Sequence, residues 1–222
     1  MPGVRNDDMR NEDVILFENE EKDTLQEIMN IAFGNAAADL ASVIDIYVRL
    51  SVPEVEILES RNLPDRIHTL TKPYTDVKII TQHFWGDFQG LGLLLFPKHN
   101  TEDLFSIIEG HDEESRENPH LAAALENNMF MEVGNMLIGA CVSKLAELLG
   151  TVVTYSPPLI VNNSLAEQGG LASLFAVSQK VIMLKTVFQF DKKDVSGFLM
   201  IVTSDESLLW LKKALRDFLA QY

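Results

Sequence analysis

Four positions in this chain occur twice at one fixed separation. Asp23, Glu27, Asn30 and Gly34 recur as Asn128, Glu132, Asn135 and Gly139, with the same offset of 105 residues at every position. Spacings of four, three and four place all four residues on one helical stripe about 60° wide, because successive residues turn through roughly 100°. A carboxylate and a carboxamide are thereby set side by side on a helix surface in each half. Any fold for the chain must present two such helices in equivalent settings, which is the mark of an internal duplication.

The flanking sequence extends the repeat. A helix is expected over about Glu18 to Val43, with Leu25, Ile28, Met29, Ala32, Phe33, Ala36, Leu40 and Val43 as an apolar face opposite the Asp23/Glu27/Asn30 stripe. A strand-like run from Ile46 to Leu58, interrupted by Pro53, comes next. Strands over 76–84 and 92–96 follow, joined by a turn around Gly86–Gly90, and then a short helix, 102–109, capped by Thr101. After the polar stretch 110–118 the order recurs. Asn118-Pro119 opens a long helix to Leu149, a proline-containing strand covers 152–162, and strands 178–190 and 196–203 flank a turn at 191–194. A last helix, 208–220, follows the cap residue Ser204. Pro53 and Pro158, and Gly92 and Gly197, keep the offset of 105.

The expected fold class is therefore α/β (α+β layered): a pseudo-twofold duplicated helix–strand–strand–strand–helix unit sharing one central sheet, with the long motif-bearing helices on it. Residues 1–17 are expected to form a flexible lead-in, and 18–222 a single domain of two repeats, 18–110 and 118–222. Each repeat alone is small for an independent core.

Composition narrows the function. A net charge of −15 argues against nucleic acid or an anionic membrane surface as partner. The polar N-terminus lacks the apolar core of a signal peptide, and no apolar run approaches the ~20 residues needed to cross a bilayer, so a cytoplasmic location is expected. The single cysteine, Cys141, allows no internal disulfide and no cysteine pair for zinc; its apolar helical neighbours point to core packing. The five histidines (His68, His83, His99, His111, His120) are scattered, with no i, i+4 pair, and read as surface or structural groups. The glycines of 86–92 lack the following helix that a phosphate-cradling loop requires, so a hairpin turn is the better reading. The acidic run 112–114 reads as a solvated linker.

A lone Glu-x-x-Asn on a helix is ordinarily solvated surface. Here the second helix is apolar almost all round, and an unpaired buried carboxylate is costly, so some polar surface must open over Glu132 and Asn135. Glycine inside a helix costs ~1 kcal/mol relative to alanine. Two glycines at matched positions imply either close approach of another backbone or tight helix–helix packing inside the protein.

The pattern D-x-x-x-E-x-x-N-x-x-x-G, present twice, together with the run NIAFGNAAADL after Glu27, resembles the signature of the CheC-type chemotaxis phosphatases, the group that includes CheX and FliY. The similarity runs from about Glu20 to Tyr222, and two copies match CheC more than the single-site CheX. Asn128 departs from the Asp or Ser usual at that position. The resemblance implies a phosphatase that removes the aspartyl phosphate of a CheY-like response regulator. By that likeness Glu27 and Glu132 would each anchor the receiver's active-site lysine, and Asn30 and Asn135 would each orient the attacking water. Asp23, Asn128, Gly34 and Gly139 would have supporting roles. It implies no cofactor of the chain's own, Mg2+ on the receiver, and a CheD-type deamidase as a possible second partner. The alternative is a non-catalytic adaptor of a chemotaxis or flagellar switch complex, binding the receiver or CheD.

Overall fold

A computed structural model describes residues 19–44, 47–74, 77–97, 119–161, 180–190 and 196–220. The expected lead-in 1–17, the helix at 102–109 with its Thr101 cap, the linker at 110–118 and the turn at 191–194 lie outside the described residues.

Both long helices form where apolar periodicity places them. Helix α1 is Asn19–Ile44 and α3 is Pro119–Leu148. The first repeat continues as β1 (Val48–Leu50), β2 (Glu54–Glu59), α2 (Leu63–Thr71), β3 (Val77–Gly86) and β4 (Gly90–Pro97). The second continues as β5 (Val153–Tyr155), β6 (Leu159–Val161), β7 (Lys180–Phe190), β8 (Ser196–Ser204) and α4 (Asp205–Leu219).

The single strand expected in each half before the long hairpin is thus two short ones. The reason is visible at the prolines. In the first half, β1 and β2 both pair with β7, and the ladder breaks between them at Ser51-Val52-Pro53, since proline has no N–H to donate. Ser51 bridges the break: its N–H donates to the Val187 carbonyl (2.8 Å), and its Oγ accepts the Val187 N–H (2.9 Å). Ser156 does the same for β5 and β6 against β3, donating to the His83 carbonyl (3.0 Å) and accepting the His83 N–H (3.1 Å).

All pairings are antiparallel, in one eight-stranded sheet of order β1-β7-β8-β4-β3-β5, with β2 also on β7 and β6 also on β3. The order reads the same from either end once equivalent strands are matched, so the pseudo-twofold axis passes between β8 and β4. Alternating side chains put the sheet between two apolar layers. On one face Phe84, Leu94, Phe96, Phe188 and Ile201 pack beneath α1, α3 and α4; on the other Ile79, Leu93, Met183 and Met200 pack with Leu63 and Ile67 of α2.

Three expectations need correction. Helix α2 was not anticipated; Leu63 and Ile67 are its buried positions, and Pro64 stands in its first turn. Gly92 and Gly197 are not structural equivalents. Gly90 pairs with Phe84 and lies against its ring, as Gly197 pairs with Phe188 and lies against that ring, while Gly92 faces Ile138 on α3. The connection from β7 to β8 is longer than that from β3 to β4, which moves the offset in the following strand. Finally, α3 over Ala123–Leu148 is long and apolar enough to cross a membrane by length and composition. In the fold its Phe130, Val133, Leu137, Ile138 and Leu145 are packed in the core.

Candidate functional site

The apolar face read from the sequence decides where the stripes point. Leu25, Ile28, Met29, Ala32, Phe33, Ala36 and Leu40 are all buried, which turns Asp23, Glu27, Asn30 and Gly34 of α1 outward, and all four are exposed. On α3 the buried positions Met129, Phe130, Val133, Leu137 and Ile138 leave Asn128, Glu132 and Asn135 exposed, with Gly139 half-buried. Polar surface thus opens over Glu132 and Asn135, as the cost of burying an unpaired carboxylate required. Within each stripe Glu and Asn stand one helical turn apart, near enough for one partner to touch both.

The glycines separate the two explanations offered for them. Among the described residues, a methyl group built on Gly34 or Gly139 would meet nothing within 4 Å outside its own stretch of helix backbone. Packing against another described element is thus not their cause. The glycine that α3 does use for close packing is Gly134, where a methyl would stand 2.6 Å from Ile80 Cγ2. The first stripe therefore ends in exposed helix backbone at Gly34, and the second in half-buried backbone at Gly139.

The halves meet at Asp39 of α1 and Lys144 of α3, whose side chains pair at 3.0 Å. These positions again differ by 105, so equivalent residues touch across the pseudo-axis. Each lies nine residues beyond its Asn, about 14 Å along the helix at 1.5 Å per residue. Each half thus carries its own stripe, set back from the point where the helices meet.

The surroundings of the two stripes differ. Gln82, buried on β3, donates through Nε2 to Asn135 Oδ1 (2.7 Å) and to the Ser156 carbonyl (2.9 Å). The Tyr155 hydroxyl donates to the Gly139 carbonyl (3.3 Å) and lies 2.7 Å from Ser143 Oγ. Burial raises the Tyr155 pKa, opposed by its hydrogen bond with Ser143, so the phenol stays protonated. The Asn30 side chain makes no hydrogen bond among the described residues. Neither Gln82 nor Tyr155 was singled out from the sequence. The available signal was a glutamine in the alternating register of Ile80 and Phe84, the core-facing positions of the strand VKIITQHF.

The remaining expected groups fall where their chemistry suggests. Cys141 is buried, and burial pushes its thiol well above the usual range. His68 is exposed; His83 stacks on Trp85 (ring centroids 5.9 Å apart), with burial lowering its pKa. His99 and His111, and the side chain of His120, lie outside the described residues. Among the described residues no three His, Cys, Asp or Glu side chains cluster as metal ligands would. A groove lined by Asp87, Glu147, Gly150, Trp210 and Lys213 shares no residue with either stripe.

With both stripes placed, their likeness to known proteins can be read on the structure. The CheC-like family matches this chain twice, over residues 20–57 and 125–161. Each segment contains one complete stripe and reaches into the second of the two short strands after it, so the family match repeats with the structural duplication. The flagellar motor switch phosphatase FliY of Bacillus subtilis (strain 168) is 22% identical over 150 residues, which is 68% of this chain and 38% of that protein. The chain thus spans well under half the length of that relative. The crystal structure of Thermotoga maritima FliY superposes with a TM-score of 0.61 at 20% identity, covering 91% of this chain and 99% of that one. The FliM middle domain from H. pylori superposes at 0.53 with 13% identity, covering 89% and 99%. These likenesses establish a CheC/FliY-like fold shared with FliM.

Proposed function

We propose that this CheC-like protein is a phosphatase for the aspartyl phosphate of a CheY-like response regulator, with one site on each long helix. The observation that carries the reading is the repeated, exposed Glu/Asn stripe ending in bare helix backbone. Glu27 and Glu132 are the anchors, each pairing with a lysine of the receiver. Asn30 and Asn135 orient water for in-line attack. The loose transition state of phosphoryl transfer asks mainly for positioning and charge stabilisation. A carboxamide, with donor and acceptor on one rigid plane, supplies positioning without being a strong base. The Mg2+ that neutralises the phosphoryl group is carried by the receiver as part of the substrate.

The test follows decay of receiver phosphoaspartate with wild type, Asn30→Ala, Asn135→Ala and the double variant. Removing a water-orienting group should slow turnover at its site by on the order of 10²-fold, so each single variant retains the other site and the double variant approaches the receiver's own decay. A double variant as fast as wild type overturns the mechanism. Receiver binding without accelerated decay by wild type would instead support an adaptor role, a reading favoured by the fold shared with the FliM middle domain.

A further inference from the structure

The duplication offers an internal control for what each half does with its Asn. Gln82 and Thr186 are equivalent: each precedes the residue whose backbone pairs with the bridging serine, His83 with Ser156 and Val187 with Ser51. Both are almost fully buried. Both also donate to that serine's carbonyl, Gln82 Nε2 to Ser156 (2.9 Å) and Thr186 Oγ1 to Ser51 (2.7 Å). The difference lies in proton count. A hydroxyl has one hydrogen, and Thr186 spends it on Ser51; an amide nitrogen has two. The second hydrogen of Gln82 reaches Asn135 Oδ1 at 2.7 Å.

The polarity of this bond follows from the Ser156 carbonyl, which can only accept. It forces the NH2 of Gln82 toward Ser156 and Asn135, and Asn135 must then offer its oxygen. Gln82 Oε1 is left buried without a partner among the described residues. With Oδ1 tied to the sheet, Asn135 keeps its Nδ2 hydrogens free of any protein partner among the described residues. Asn30 has no such tether among the described residues.

We propose that Gln82 is a positioning residue for Asn135, fixing its carboxamide with the NH2 group available for water or phosphoryl oxygens, so that the two sites are chemically unequal. The second site is pre-set and the first adapts on binding. This inference rests on the phosphatase reading for its kinetic consequence but not for its structural one.

The kinetic arm places Gln82→Met, similar in length but without donors, in the Asn30→Ala and Asn135→Ala backgrounds and follows receiver phosphoaspartate decay. In the Asn30→Ala background, where only Asn135 works, kcat should fall about tenfold through lost orientation, with KM little changed. In the Asn135→Ala background the change should be negligible. Equal losses in both backgrounds would mean a general effect on folding and overturn the proposal, as would no loss in the first. The structural arm needs no variant and no activity: side-chain 15N relaxation of the wild-type protein should show the Asn135 amide more ordered than that of Asn30. Equal order in the two overturns the tether. An Asn30→Ala/Asn135→Ala variant as active as wild type sinks the phosphatase reading alone and leaves the relaxation result to decide the role of Gln82.

Discussion

Replacing Gly34 and Gly139 by alanine sets stability against function in a way that few surface changes can. Both lie inside long helices, where glycine costs ~1 kcal/mol relative to alanine. At neither position would the new methyl meet another described element within 4 Å. The double variant should therefore be about 2 kcal/mol more stable than wild type, and for a chain of this size that corresponds to a rise in Tm of about 4–8 °C. Gly134→Ala supplies the contrast. Its methyl would stand 2.6 Å from Ile80 Cγ2 in the sheet core, an overpacking expected to cost about 1–3 kcal/mol.

If a receiver packs against the bare ends of the stripes, the two stabilising methyls stand in its way. KM for phosphorylated receiver should then rise about tenfold while the fold becomes firmer, the steric penalty being of the same size as overpacking a core. Thermal unfolding by circular dichroism and receiver-dephosphorylation kinetics read the two effects separately. A lower Tm for Gly34→Ala/Gly139→Ala would mean that the glycines serve the chain's own folding. A higher Tm with unchanged KM would place the docking surface elsewhere and refute the argument from open backbone.

Two further predictions concern the frame that holds the stripes. Glu21, almost fully buried at the start of α1, pairs with Lys212 (3.1 Å) and Arg216 (3.3 Å) of α4. Glu21→Gln removes the charge that both cations share and should cost about 2 kcal/mol in urea unfolding; a loss below about 0.5 kcal/mol would show the contact to be dispensable. Glu56 of β2 accepts from Arg66 Nε of α2 (2.7 Å) and from its Nη2; the hydrogen bonding lowers the Glu56 pKa against an opposing effect of burial. A carboxyl lowered on folding stabilises the fold above its unfolded value of 4.5 and loses that contribution as pH falls through the folded value. The stability gap between wild type and Glu56→Gln should accordingly be full near pH 6 and shrink toward pH 3. A gap that stays constant between those pH values would exclude the coupling.

The sequence revealed most where one helix face decides the outcome. The apolar positions from Leu25 to Leu40 fixed the orientation of α1, and with it the exposure of Glu27 and Asn30, because a 3.6-residue period leaves no second way to bury that face. Strand pairing was less legible. The two short strands on either side of Pro53 read as one run, since a ladder interruption depends on which neighbouring strand lies alongside. Gly92 and Gly197 share an offset but not a role, because equivalence across a hairpin depends on turn length. Helix α2 is short, and only Leu63 and Ile67 of it are buried. Gln82 could not be linked to Asn135 from sequence at all: 53 residues separate them, and only the fold sets one beneath the other.

The Asp39–Lys144 contact bears on how such a chain holds together as a descendant of two copies. In a dimer of identical halves, a residue on the twofold axis faces its own image, and any charge there meets a like charge. Here one copy carries the acid and the other the base. The contact therefore favours a first half meeting a second half and opposes either half meeting its twin. Expressed as separate chains, the halves should prefer unlike partners by up to about 1 kcal/mol, the scale of an exposed ion pair.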